Sequence, residues 1–138
     1  MGPFGELFER QPGAADVPEG LPLVISLTGF TDAGGASSQL NEFFRDELRP
    51  EPVVVFNNDI LLDYRARRPL VYFDQDHLTA YRPASLTPSI ADDSLGQRFL
   101  VLSGYEPDFG WDTFAAAVVE LAEEFDVSSV TWVHAIPM

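Results

Sequence analysis

Residues 21–35 constrain the fold more than any other part of this chain. Leu23, Val24, Ile25 and Leu27 form a short apolar run. Residues 29–32, Gly-Phe-Thr-Asp, break that run, and helical spacing starts at Ala33. The pattern predicts a buried strand that turns tightly into a helix. Such a unit brings backbone N–H groups and a carboxylate to the carboxyl end of a sheet strand, where open α/β sheets keep their ligand sites.

The remaining segments repeat this alternation. The first strand is expected over 23–28 and the first helix over 33–48. Ala36, Leu40, Phe43, Phe44 and Leu48 fall three or four residues apart, which defines one helix face. Asp32 suits an N-cap, and Pro50 and Pro52 stop the helix. Residues 53–56, Val-Val-Val-Phe, suggest a strand buried on both faces, as in a parallel sheet. Residues 69–73 and 78–81 are expected to form a hairpin around a polar turn that includes His77. The Ser-, Thr-, Pro- and Asp-rich stretch 84–97 reads as a loop or a short helical piece. Another buried strand, 98–103, leads into a second strand-to-helix turn at 104–108. The face Trp111, Phe114, Ala115, Val118, Leu121, Ala122 and Phe125 then marks a helix, with Asp108 as a candidate cap. A last apolar strand is expected over 129–134.

Strands alternating with helices imply a mostly parallel, mixed α/β sheet flanked by helices, with the hairpin inserted. Residues 1–20 hold four Gly and three Pro. They read as a leader, either mobile or docked through Phe4, Leu7 and Phe8. Residues 21–138 form the α/β domain. An α/β sheet usually has a further helix after such a closing strand, so the domain is expected to be truncated at its C-terminal end or covered there by another subunit.

Composition narrows the function. The 138 residues are 46% hydrophobic, enough for one domain with a real core. No apolar run reaches the roughly 18 residues of a membrane span, and no signal-peptide pattern opens the chain. A cytoplasmic location is the expectation. The net charge is −14, and all eight bases are Arg, with no Lys. A surface this acidic repels phosphate backbones, so nucleic acid is not an expected partner. With no Cys there is neither a disulfide framework nor a thiolate metal site. No His-Glu-x-x-His or Asp-rich calcium loop is present, so no metal and no cofactor is expected.

Several pieces, taken in order, resemble the proteasome assembly chaperone 2 family in its bacterial (actinobacterial) branch. They are Gly29-Phe-Thr-Asp-Ala-Gly34, Asp63-Tyr-Arg-Ala-Arg-Arg-Pro69, Leu100-Val-Leu-Ser-Gly-Tyr-Glu-Pro107, Trp111 with Phe114, and His134-Ala-Ile-Pro137. The resemblance spans about 21–137. It implies a sheet akin to the nucleoside phosphorylase and peptidyl-tRNA hydrolase type. It also implies oligomerisation and, as in characterised members, help in assembling proteasome α subunits. The family domain usually continues past the closing strand. The hydrophobic–Tyr–any-residue tail by which some members dock on the proteasome is not seen here, where the chain ends Ile-Pro-Met.

The chemistry-bearing residues each have a functional and a structural reading. In the first turn Gly29, Thr31, Asp32, Gly34 and Gly35 are ligand-binding candidates at a helix N-terminus. The alternative is a capping Asp32 and glycines that allow close packing. In the second turn Glu106 and Trp111 are placed to complete a pocket with Asp32. Two carboxylates in one cleft are raw material for acid–base work. Otherwise Glu106 is taken up by backbone N–H groups or an Arg, and Trp111 belongs to the core. Arg65, Arg67 and Arg68 are candidates for an anion site, a subunit contact or pairing with nearby acids. His134 sits at a strand's carboxyl end and completes the catalytic candidates Asp32, Glu106 and His134.

Two functions follow. The first is a non-enzymatic oligomer that works by contact with itself and with proteasome subunits. The second is a hydrolase or phosphorylase on a small polar substrate, using Asp32 and Glu106.

Overall fold

The computed structural model describes residues 5, 7–28, 36–63, 70–74, 77–82 and 85–133. In chain order the strands are β1 (Phe8–Arg10), β2 (Pro22–Thr28), β3 (Glu51–Pro52), β4 (Val54–Phe56), β5 (Leu70–Asp74), β6 (His77–Arg82), β7 (Thr87–Asp92), β8 (Arg98–Tyr105) and β9 (Ser129–Val133). The helices are α1 (Ala36–Phe43), α2 (Asn58–Leu61) and α3 (Trp111–Glu124). A π-helical turn, Phe44–Leu48, extends α1.

Five strands form a mixed sheet in the order β3–β7–β8–β2–β9. β2 lies at the heart of its parallel part. It pairs with β8 from Leu23↔Leu100 to Thr28↔Tyr105, and on its other side with β9 from Pro22↔Ser129 to Ser26↔Val133. β7 joins β8 antiparallel, and β3 joins β7 antiparallel. β5 and β6 form the separate antiparallel hairpin that the sequence suggests.

Strand alternation sorts the two faces of the sheet. Leu23, Ile25 and Leu27 of β2 and Leu100 and Leu102 of β8 are buried with Phe114, Ala117, Leu121 and Phe125 of α3 and the turn after it. Burial of a Leu or Phe side chain contributes about 1.5–3 kcal/mol, so this layer dominates stability. The opposite face carries Phe99 and Val101, with Phe44 stacked on Phe99 at 6.1 Å.

Four local expectations are corrected. Residues 84–97 contain a six-residue strand, β7, rather than a loop. Pro88 disguised it. The Pro88 carbonyl accepts from the Val53 N–H at 2.9 Å, so its missing N–H faces the same side, away from β8. The β7–β8 ladder loses nothing. Second, residues 53–56 do not form a parallel strand buried on both faces. β4 pairs antiparallel with β1, and Val55 is 38% exposed. Third, Phe43, expected on the apolar face, is 49% exposed, while the next residue, Phe44, is buried against Phe99. Fourth, Asp108 does not cap α3. Gly110 holds the N-cap position at φ 67°, with no side-chain cap.

The leader is docked where it is described, over residues 7–17. Leu7 and Phe8 belong to the core, and Ala14 and Val17 pack against it. The Gln11 N–H donates to the Val53 carbonyl at 2.9 Å, and the Asn57 N–H donates to the Leu7 carbonyl at 2.8 Å. The Phe8 ring lies 5.6 Å from Phe56, which lies 5.3 Å from Phe114. Arg10 donates from Nε and Nη2 to the two carboxylate oxygens of Glu124, which ties the leader to α3. The hydrogen bond to Glu124 raises the Arg10 guanidinium above its ordinary range, against a smaller cost of burial. The guanidinium is therefore charged at every working pH.

These contacts differ in weight. Phe8→Ala is expected to cost about 3–5 kcal/mol, since it empties a buried aromatic site. Arg10→Ala removes an ion pair whose side chains are 47% and 37% exposed, and is expected to cost under about 1 kcal/mol. Urea denaturation of both variants checks the ranking.

Candidate functional site

β2 and β8 end side by side, and backbone hydrogen bonding continues past the last pair of their ladder. The Glu106 N–H donates to the Thr28 carbonyl at 2.8 Å. The Gly104 carbonyl accepts twice, from Thr28 Oγ1 at 3.2 Å and from Asn41 Nδ2 at 3.1 Å. Asn41 thus fastens α1 to the end of β8. Asn41 Oδ1 is buried and has no hydrogen-bond partner among the described residues.

Gly104 is demanded by its surroundings. Its φ is +144°, and a Cβ there would lie 2.2 Å from the Ser85 carbonyl oxygen and 2.8 Å from the Leu86 Cα. Both atoms are backbone and have nowhere to move. The close approach packs the chain entering β7 against the end of β8.

The loop after β8 is pinned from α2. The buried Tyr105 donates its hydroxyl to Asn58 Oδ1. Asn57 Oδ1 accepts from the Asp59 N–H at 3.0 Å and caps α2. The Asp108 and Phe109 N–H groups both donate to the Leu61 carbonyl, at 2.8 and 3.2 Å. Asp108 Oδ2 accepts from the Asp63 N–H at 2.8 Å. Asp108 is thus a clamp between the two loops, which explains why it does not serve as a helix cap.

Two sequence candidates lie among the described residues, Glu106 and Trp111. Glu106 is partly buried at the end of β8, and no described residue hydrogen-bonds its carboxylate. Trp111 is 41% exposed rather than a core residue, and it meets Phe114 edge-on at 5.8 Å. Its neighbour Phe109 is 52% exposed. Gly29, Thr31, Asp32, Gly34, Gly35, Arg65, Arg67, Arg68 and His134 lie outside the described residues. Among the described residues no three His, Cys, Asp or Glu side chains are grouped to hold a metal. No described helix is long and apolar enough to cross a membrane.

Sequence reasoning did not single out Asn41, Asn58, Gly104, Asp108 as a clamp, or Phe109. Gly104 had a legible signal, a glycine that interrupts the last turn of an apolar strand. The asparagines had none, since their partners are distant in sequence.

With this geometry in place, comparison with known proteins identifies the fold's lineage. The PAC2 family profile matches residues 26–138. The chain belongs to the PAC2 family. A Corynebacterium glutamicum protein of unknown function superposes with a TM-score of 0.88 at 34% identity, over 96% of this chain and 51% of that chain. A Mycobacterium tuberculosis protein of unknown function superposes at 0.83 and 37% identity, over 93% of this chain and 45% of that chain. A proteasome-assembly chaperone homologue from M. tuberculosis shares the fold, with a TM-score of 0.70 at 19% identity over 84% of this chain and 50% of that chain. The chain spans about half the length of these solved relatives. No curated protein matches it.

In this PAC2 protein two exposed aromatic rings, Phe109 and Trp111, stand where the segment after β8 enters α3, and backbone hydrogen bonds to the Leu61 carbonyl hold that segment. Gly104→Ala is expected to cost about 2–4 kcal/mol, since it combines a strained φ with backbone overlap. Asp108→Ala is expected to cost about 1–2 kcal/mol by removing the acceptor for the Asp63 N–H. Thermal unfolding of both checks this; a Gly104→Ala protein as stable as wild type would remove the close-approach argument.

Proposed function

We propose that this PAC2 protein works by binding other proteins, in the manner of an assembly chaperone and within an oligomer of its own copies. Proteasome subunits are the candidate clients. Family membership and the solved structure of a proteasome-assembly chaperone homologue with the same fold support this reading. The observation that carries it is the pair Phe109 and Trp111. Large aromatic side chains held half-exposed at the start of a helix, Phe109 just before α3 and Trp111 in its first turn, are the residue types that dominate protein interfaces. The Leu61 carbonyl and Gly110 set the backbone on either side, so little ordering entropy remains to be lost on binding.

A cytoplasmic location fits this role. The Glu106 carboxylate, which no described residue hydrogen-bonds, is the feature that favours the alternative, a hydrolase or phosphorylase in which Glu106 acts with Asp32.

The two readings separate by substitution. Trp111→Ala is expected to weaken binding to purified proteasome α subunits by about 30-fold, the loss of a hot spot of roughly 2 kcal/mol. Glu106→Gln is expected to leave that affinity unchanged. Sedimentation velocity with labelled protein measures both. A wild-type chain that neither self-associates nor binds α subunits would end the chaperone reading.

A further inference from the structure

Phe109 and Trp111 stand among charges of one sign. Ile60 of α2 is exposed too, and the next residue, Leu61, accepts the Asp108 and Phe109 N–H groups through its carbonyl. These bonds bring the end of α2 to the start of α3, and each element supplies exposed apolar side chains. Each also supplies an exposed acid, Asp59 just before Ile60 and Asp112 just after Trp111. Glu106, partly buried in the segment that enters α3, adds a carboxylate that no described residue hydrogen-bonds. Residues 57–63 and 104–114 contain no Lys, Arg or His. The ion pairs Arg10–Glu124, Arg45–Asp46 and Arg98–Asp92 place three of the bases elsewhere. The apolar side chains here therefore sit in a negative field, within a chain of net charge −14.

We propose that this surface takes a cationic polypeptide segment, with an arginine of the partner laid over Trp111 and further basic side chains facing Asp59 and Asp112. The proposal rests on the protein-binding role above and adds the chemistry of the partner. The aromatic rings set the kind of contact, and the charge selects the occupant. An exposed indole face attracts a guanidinium, which also stacks on it as a plane, and carboxylates on neighbouring residues add to the attraction. A second copy of this chain fits poorly. Its net charge is also −14, and a self-complementary contact would set Asp59 and Asp112 against the same acids of the other copy. On this account self-association uses another face and leaves Trp111 open to a different protein. Acids around an apolar anchor also steer a basic partner from a distance, so binding weakens as salt screens them.

Peptide titration of the 138-residue chain, followed by nitrogen-15 NMR, tests this. The probe is a short peptide of alternating Arg and Leu, and matched controls carry Gln or Glu in place of Arg. Trp111→Phe assigns the two indole N–H signals, Trp111 and Trp132. The Arg peptide is expected to move the Trp111 signal and leave Trp132 in place. It is expected to bind about ten-fold more tightly than the Gln peptide, and more weakly as NaCl rises from about 50 to about 300 mM. Asp59→Asn combined with Asp112→Asn is expected to weaken it by about five-fold. Asp16→Asn combined with Glu123→Gln removes the same charge elsewhere and is expected to change affinity by less than about two-fold. Equal binding of the three peptides, no binding of any, or equal loss in the two double variants overturns the proposal. So does a dimer of the chain alone that shields Trp111. If proteasome α subunits bind through Trp111 while the Arg peptide does not, the cationic partner falls and the protein-binding role stands. If the chain binds neither and does not self-associate, both fall.

Discussion

The parallel ladder between β2 and β8 is the constraint on which the rest of the structure depends. Six residues of each strand lie in register, and α3 covers one face of the pair and α1 the other. Parallel pairing is slightly weaker per residue than antiparallel pairing, and it needs burial on both sides. Here the burial comes from segments far apart in sequence. Phe44 reaches Phe99 from the α1 side, and Phe114 and Leu121 come down from α3. The leader adds Leu7 and Phe8 from the other end of the chain. The ladder ends at Thr28 and Tyr105 together, and the segment that follows β8 carries Glu106 and Asp108 into Trp111 at the start of α3.

How legible this was depended on the range of the interactions. Strands β2 and β8 and helix α3 could be read because their apolar residues recur locally at the periods of strand and helix. The hairpin β5–β6 was readable from its polar turn. β7 was not, since Pro88 and its Ser and Thr neighbours resemble a loop until Val53 is known to donate to the Pro88 carbonyl. The leader had the same difficulty. Phe8 is core only because Phe56 faces it, and no local signal reports a partner 48 residues away.

The candidate site was legible in place more than in composition. The expectation that chemistry would gather at the strand ends drew attention to Glu106 and Trp111, and both sit there. Trp111 is half in solvent rather than in the core, and no described residue hydrogen-bonds the Glu106 carboxylate. The clamp made by Asp108 was read as a helix cap, because an Asp just before a helix is a common cap and its true partner, the Asp63 N–H, lies 45 residues away. In this PAC2 protein the rim joins a hydrogen-bonded frame to an exposed aromatic pair, the feature on which the proposed protein-binding role rests.

Native-state hydrogen exchange by NMR tests the central role of the β2–β8 ladder most directly. The amides that bridge residues 23–28 and 100–105 are expected to exchange only through global unfolding, with the same denaturant dependence as the whole molecule. Amides at the outer edge of β9 in the isolated chain are expected to exchange much faster. The structure described here would be contradicted if the β2–β8 amides opened in a separate, lower-energy step while α3 and β7 stayed protected.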